Sequence, residues 1–206
     1  MPGRVQCICF DSSGSNLWIG DDKGSISSFH FDAFTLKLNK TKKIASNNGY
    51  SITSISYKTW KSKELSLPTL LVNAKPNYLL LYRLMTSENQ SLKLRKKICI
   101  KQNEHSIRST FCPVVTKKQQ NSCLTCTGSE DCGVYIYDME NDEKPLINKL
   151  QGHSSPVLDV AFNYDQSLLA SGDNQVFFDP ASIREPDSSF RKLIENQKLE
   201  SNSWFV

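Results

Sequence analysis

Three side chains in the last third of the chain, His153, Ser171 and Asp173, carry the residue types of a hydrolytic triad. In such a triad an acid orients a histidine, and the histidine takes the proton of a serine nucleophile. The nucleophile normally sits on a sharp turn between a strand and a helix, in a Gly-x-Ser-x-Gly motif. Ser171 instead follows Leu169-Ala170 in a sequence with the composition of a strand. The pattern therefore does not indicate a hydrolase.

A second group of reactive side chains is the pair Cys123 and Cys126, which has the two-residue gap of a zinc knuckle. Cys112, Cys132 and His105 are nearby in the sequence. Positions three apart on a strand point to opposite faces, so both thiolates cannot reach one ion in a regular strand. We predict no metal and no cofactor, and we expect these cysteines to act as small buried hydrophobes. The odd count of 7 cysteines favours free thiols in a reducing compartment.

The elements that must position His153, Ser171 and Asp173 are two predicted strands. Apolar runs of strand length at 156–162 and 168–173 flank a turn-forming sequence at 163–166. Comparable groups of short strands and turns precede this segment three times. An aromatic residue ends the first predicted strand of each group, at intervals of about 47, 54 and 51 residues. These aromatic residues are Phe10, Tyr57, Phe111 and Phe162.

The Gly152-His153 pair followed by a strand, together with an aromatic-Asp pair in the third strand of three groups, resembles a WD repeat. The three pairs are Phe31-Asp32, Tyr137-Asp138 and Phe178-Asp179. The resemblance implies that each group is one four-stranded blade of a β-propeller. The order of motifs over about residues 3–173 also resembles the C-terminal part of a longer member of this family. That likeness implies a non-catalytic interaction platform in the nucleus, and possibly also in the cytoplasm.

We predict an all-β fold, a partial WD-repeat β-propeller over residues 1–179. Three full blades are expected at about 4–46, 47–101 and 102–150, with an incomplete fourth at 151–179. Residues 180–206 are a non-repeat tail, helical or disordered, with a helix expected at about 188–199. An alternative splice or gene-model boundary near Gln175 is the preferred explanation of the tail, and a capping helix is the second.

The resemblance also implies a structural role for the triad-like residues. In WD repeats a histidine after glycine, a hydroxyl in the second strand, an aspartate in the next turn and a tryptophan in the third strand form hydrogen bonds that satisfy buried polar groups. Because Asp173 follows Ser171 by two residues instead of four, we expect a partial network that holds His153 loosely. His105 lies closer to its strand aromatic than His153 does and is expected to stay outside such a network. The residues assigned to this structural hydrogen-bond network are His153, Ser171, Asp173, Thr127, Asp131 and Tyr137, with Tyr137 in the tryptophan place.

Charge and hydropathy give no signal for secretion or for a membrane span. The net charge of +4 is mild, no basic-then-apolar leader follows Met1, and no apolar run approaches the ~18 residues of a membrane span. We therefore expect a nuclear, non-enzymatic scaffold that binds other proteins in a multiprotein complex, with no membrane contact.

Arg108 and Asp159 precede their strand aromatics by three residues, at the strand entrance that faces partners in the family. The alternative is that they face solvent or pair with each other.

Two further alternatives stay open. Basic clusters at 40–43, 95–97 and 117–118 would allow weak, sequence-independent nucleic-acid binding, although no aromatic residues interleave with them as a stacking reader requires. A ring of only about three and a half blades would leave open blade faces, which invite self-association or aggregation. The chain could then also be a truncated, non-functional form of a larger propeller.

Overall fold

The computed structural model describes residues 3–45, 49–59, 68–85, 91–112, 123–163 and 168–175. These residues form fourteen β-strands in four antiparallel sheets, and the strands of each sheet follow one another in chain order. None of them forms a helix of the length and apolarity needed to cross a bilayer. The helix predicted at 188–199 and the Phe178-Asp179 pair lie outside the described residues.

The first two sheets have four strands each. Sheet 1 contains β1 (Val5–Phe10), β2 (Asn16–Asp21), β3 (Ser25–Asp32) and β4 (Lys37–Ala45). Sheet 2 contains β5 (Ser51–Lys58), β6 (Thr69–Lys75), β7 (Tyr78–Met85) and β8 (Ser91–Cys99).

The other two sheets differ in size, with four strands in sheet 3 and two in the described part of sheet 4. Sheet 3 contains β9 (Ser109–Phe111), β10 (Leu124–Thr127), β11 (Gly133–Asp138) and β12 (Leu146–Gln151). Sheet 4 contains β13 (Val157–Phe162) and β14 (Leu169–Asp173).

Tight turns set the register of the meanders, and the turn between β2 and β3 shows how. The Asp21 carboxylate accepts hydrogen bonds from the backbone N–H groups of Lys23, at 3.0 Å, and Ser25, at 2.7 Å. Gly24 adopts a φ of 77°, a left-handed conformation that glycine takes without strain. An aspartate that bonds to the backbone two residues later is a common way to close such a turn. The Asp-Asp-Lys-Gly sequence therefore fixes the pairing of Gly20 with Ile26.

The sheets pack face to face through their first strands, because β1 contacts β5, β5 contacts β9 and β9 contacts β13. Three apolar clusters fill the spaces between them. Sheets 1 and 2 enclose Trp18, Ile26, Ile52, Ile55, Leu70, Val72, Ala74 and Leu80. Sheets 2 and 3 enclose Leu71, Leu79, Leu81, Ile98, Ile100, Phe111, Cys123, Tyr137 and Met139. Sheets 3 and 4 enclose Cys112, Leu124, Cys126, Val134, Val157 and Val160.

The predicted all-β fold of three four-stranded sheets and a shorter fourth is confirmed. The outer strand of sheet 1 begins at Lys37. The turn before it extends through Leu36, because the Thr35 hydroxyl donates to the Asp32 carboxylate at 2.6 Å and Leu36 has a φ of 53°. The division into a propeller region and a tail, with its blade bounds, stays a prediction.

Candidate functional site at the junction of sheets 3 and 4

His153 lies in the loop between β12 and β13, and both of its ring nitrogens have partners. Nδ1 lies 2.9 Å from Asp173 Oδ2, and Nε2 lies 2.7 Å from Ser171 Oγ. Because a carboxylate only accepts hydrogen bonds, Nδ1 carries a proton, and in the neutral imidazole Nε2 then accepts the bond from the Ser171 hydroxyl. The His153 and Asp173 side chains are largely buried, with 15% and 19% of their surface exposed. The expectation of a loosely held His153 is therefore wrong.

The geometry of β14 explains why Ser171 and Asp173, only two residues apart, can both form hydrogen bonds with His153. Side chains two apart on a strand point to the same face, so Ser171 and Asp173 both point toward His153. The Asp173 carboxylate also accepts from the backbone N–H of Gln175 at 3.0 Å, which shapes the turn after the strand. Ser171 is paired with Val160 in the middle of the hairpin and is not on an exposed strand-to-helix turn. The arrangement satisfies buried polar groups and does not present a nucleophile.

Thr127 of β10 has a different set of partners in sheet 3. Its hydroxyl accepts from Ser109 Oγ at 2.7 Å and donates to the Gly128 carbonyl at 3.0 Å. Ser109 is opposite Thr127 in the neighbouring strand, so this is a cross-strand hydroxyl pair. The structure thus brings Thr127 together with Ser109 and gives it no hydrogen bond to Asp131 or Tyr137 among the described residues.

Asp131 bonds to Tyr135 and not, as predicted, to Tyr137. The Tyr135 hydroxyl donates to Asp131 Oδ2 at 2.5 Å, and Lys149 Nζ lies 3.3 Å from the same oxygen. Burial alone would raise the pKa of Asp131, but the hydrogen bonds from Tyr135, Ser129 and Lys149 outweigh it and lower that pKa to about 2. The Tyr137 ring stacks on the Tyr135 ring at a centroid distance of 6.0 Å and belongs to the apolar cluster between sheets 2 and 3.

His105 joins neither of these networks. Its Nδ1 lies 3.3 Å from Glu130 Oε1, and the same carboxylate oxygen accepts from the backbone N–H groups of Glu104 and His105. His105 Nε2 lies 3.3 Å from Asn174 Nδ2, in the turn that follows β14. This histidine therefore links the loop before sheet 3 to the turn at the end of sheet 4.

Arg108, which directly precedes β9, and Asp159 of β13 form an ion pair between sheets 3 and 4. Arg108 Nη1 lies 3.1 Å from Asp159 Oδ2, and the two side chains are 68% and 51% exposed. The backbone N–H of Arg108 donates to the Leu158 carbonyl at 2.8 Å, which fixes the two segments against each other. The two residues thus pair with each other while most of their surface stays in solvent. An exposed pair of this kind contributes roughly 0–1 kcal/mol to stability.

The cysteines singled out by their spacing are separated by the sheet. Cys123 lies in the cluster between sheets 2 and 3, whereas Cys126 lies in the cluster between sheets 3 and 4. Burial raises the pKa of the Cys123 thiol above its usual range. No group of three histidine, cysteine, aspartate or glutamate residues in the described ranges could hold a metal ion.

The basic cluster at 95–97, on the outer strand β8, is partly neutralised by acidic side chains of sheet 3. Arg95 and Lys96 of β8 form ion pairs with Asp142, at 3.4 Å and 2.9 Å. Arg95 also lies 3.6 Å from Glu140, which pairs with Arg83 at 2.7 Å. These acids come from the turn between β11 and β12, so the contacts join sheets 2 and 3. The cluster at 95–97 therefore presents less free positive charge than its sequence suggests.

A buried polar network that sequence reasoning missed lies between sheets 2 and 3. Gln102 Nε2 donates to Thr53 Oγ1 at 2.8 Å, and Thr53 Oγ1 donates to the Ile107 carbonyl at 3.2 Å. Asn73 Nδ2 donates to Gln102 Oε1 at 3.4 Å. Gln102 is fully buried although it lies in a polar loop sequence, and nothing in that sequence distinguishes it from its exposed neighbours. The bond between Tyr135 and Asp131 was also missed, but the sequence does carry a signal for it, because the two residues are four apart across a turn.

A family comparison agrees with this architecture. The family model of the WD domain, G-beta repeat, matches residues 144–178. The matched segment contains β12, the loop with His153, and the β13–β14 hairpin. Its match includes the three residues of the His153 network, and the sheets before it have the same antiparallel order. The chain therefore matches the WD-repeat family over residues 144–178, and its four sheets are consistent with the blades of a partial WD-repeat propeller.

Proposed function

We propose that this protein is a non-enzymatic protein–protein interaction scaffold that acts within a multiprotein complex in the nucleus. The observation that carries the proposal is the WD repeat at residues 144–178 in a stack of antiparallel sheets. WD repeats typically serve as scaffolds that bind proteins and are generally non-catalytic. The hydrogen bonds of His153 support the same view, since they hold the loop before β13 in place.

The nuclear part of the proposal rests on a closer resemblance. The order and spacing of several segments are similar to those of the C-terminal part of WD repeat-containing protein 13, which implies a nuclear or nucleocytoplasmic location. These segments are Val5–Phe10, 107–113, 127–131 and 148–171.

The surface proposed for partner binding is the rim formed by Arg108 and Asp159. The two charges are exposed and lie at the entrance of adjacent first strands. Their pairing leaves a cation and an anion side by side, which suits a partner segment with both signs of charge. Such exposed rim charges affect association rates and salt dependence more than they affect the fold.

The test is a pull-down from nuclear extract with the tagged full-length chain. The exchange of Arg108→Asp with Asp159→Arg keeps an ion pair but reverses its direction, so circular dichroism should not change. We expect the exchange variant to lose the captured proteins while a control, Lys93→Asp on the outer strand β8, retains them. Equal capture by the exchange variant would refute this surface. A fluorescent fusion found only in the cytoplasm would refute the nuclear location.

A further inference from the structure

The first strand of three sheets carries an apolar triplet with the same spacing, in which the second and third members follow the first by three and five residues. In β5 and β13 the triplet packs into the cluster shared with the preceding sheet. In β1 it is bare, with Val5 51% exposed, Ile8 61% and Phe10 51%. The packed triplets are Ile52, Ile55 and Tyr57 in β5, and Val157, Val160 and Phe162 in β13, of which Tyr57 and Phe162 are partly buried and the others are buried. Sheet 1 thus presents a packing face of the kind that the chain buries in two other places.

The first residue of each packed triplet lies against a glycine of the preceding sheet: Ile52 against Gly20, and Val157 against Gly128. A Cβ atom on Gly20 would lie 2.5 Å from Ile52 Cγ2, and one on Gly128 would lie 2.3 Å from the Val157 carbonyl oxygen. Only glycine leaves room for such an approach. At Gly20 the contact is therefore an apolar side chain seated over a glycine. At Gly128 the Val157 backbone carbonyl lies closest, and Val157 Cγ1 lies 3.1 Å from the same Cβ position.

Sheet 4 has a glycine in the same position with nothing seated on it. Gly172 pairs with Asp159 just as Gly20 pairs with Cys7. Within the described ranges no heavy atom lies within 4 Å of a Cβ built on Gly172. The residues beside it on this face, Ala161 and Ala170, are small and exposed. Sheet 4 thus offers an unfilled receiving face, and sheet 1 offers an unburied triplet.

We propose that these two faces bind each other between two copies of this chain. The triplet Val5, Ile8 and Phe10 of one copy seats on the face of the second copy that carries Gly172, Ala161 and Ala170. The contact is continuous with the packing that already joins sheets 1 to 4, because it repeats the seating of Ile52 over Gly20 and of Val157 over Gly128.

The two faces are different surfaces, so the contact is heterologous and each copy keeps one free face of each kind until a ring closes. Two copies bring six full sheets and two hairpins into the array, within the four to eight blades that propellers use. The proposed assembly is therefore a closed pair with two identical contacts. The inference goes beyond the proposed function, because Arg108 and Asp159 are not members of either face.

Blocking variants on the full-length chain test the proposal by sedimentation velocity. Ile8→Lys puts a charge on the triplet face, and Gly172→Phe fills the receiving face, where a side chain meets no described atom in a single copy. We expect the wild type to sediment as twice the 23.3 kDa chain and each variant to sediment as a monomer. Phe34→Lys is the matched control, since Phe34 is fully exposed in the β3–β4 turn and belongs to neither face. It should associate like the wild type.

A mixture of the two blocked variants separates this arrangement from others. The intact triplet of Gly172→Phe can bind the intact receiving face of Ile8→Lys, so the mixture should form a dimer that neither variant forms alone. Because only one of two contacts remains, we expect this dimer to be weaker than the wild-type pair. A monomeric wild type up to about 0.1 mM, where any contact tighter than roughly 10 μM would be populated, would overturn the proposal. Association of Gly172→Phe alone, or no dimer in the mixture, would also overturn it.

Discussion

Replacing Gly128 by alanine is expected to destabilise the junction between sheets 3 and 4. The new Cβ would lie 2.3 Å from the Val157 carbonyl oxygen and 2.9 Å from its carbonyl carbon. These are backbone atoms of a residue that is itself fully buried, so the strain cannot be relieved by rotating a side chain. Overpacking of this kind costs about 1–3 kcal/mol.

Gly172→Ala is the matched control for this substitution. Neither glycine has a φ in the left-handed region, so alanine restricts the unfolded chain in both cases and favours folding by about 0.4–1 kcal/mol. Gly172 meets no described atom, so it should show this gain alone, whereas Gly128→Ala also carries the steric cost. The free energies of unfolding of the two variants should therefore differ by about 1–3 kcal/mol. For a chain of this length the melting temperatures would then differ by roughly 2–12 °C.

The assay is urea unfolding followed by tryptophan fluorescence, with both substitutions made in the Ile8→Lys background. That background keeps association from adding to the measured stability. We expect Gly128→Ala to lower the urea midpoint without changing the slope of the free energy against urea concentration, which reports the surface exposed on unfolding. Equal midpoints for the two variants, or a higher midpoint for Gly128→Ala, would refute the seating of Val157 over Gly128.

Three further predictions concern the polar and thiol groups. Asp173→Ala leaves Nδ1 of the largely buried His153 unpaired and should cost about 1–3 kcal/mol in urea unfolding, and a change below the error of the measurement would contradict the network. Tyr135→Phe should raise the pKa of Asp131 from about 2, as followed by carbon NMR of the carboxyl group. Because the folded pKa is lowered from 3.8, the stability that Asp131 contributes should be present above pH ~4 and be lost as pH falls toward ~2. Iodoacetamide at about pH 8 should label exposed Cys99 in the native protein but label Cys123 only after unfolding, as read by mass spectrometry of peptides, because burial shields the Cys123 thiol and raises its pKa.

The strands and their grouping could be predicted because local signals agree. Alternating apolar residues in β1 and β13 and the Asp-Asp-Lys-Gly turn act over few residues, and they determine hairpins directly. The opposite orientation of Cys123 and Cys126 also follows from the strand period alone. Periodicity within the chain was therefore sufficient for the fold class.

The partners of individual polar groups could not be predicted in the same way. Tyr135 and Tyr137 point to the same face of β11, so alternation does not decide which of them reaches Asp131. The register shift between Ile136 and Tyr137 in the pairing with β12 bears on that choice and has no local signal. The pairing of Arg108 with Asp159 joins two strands 51 residues apart. The sequence placed both at the same strand position without showing that they meet.

The described part of sheet 4 has only two strands, and an isolated hairpin of that size is marginally stable in water. Its backbone attachments to the rest of the molecule include Val157 N–H to the Ser129 carbonyl at 3.0 Å and Arg108 N–H to the Leu158 carbonyl at 2.8 Å. Amide hydrogen exchange in β13 and β14 should therefore report the detachment of this hairpin at a lower free energy than global unfolding. β6, which is buried along nearly all its length, should exchange last. Opening would then proceed along the stack from sheet 4 inward, so the β13–β14 hairpin is the least protected element of the described part of the chain.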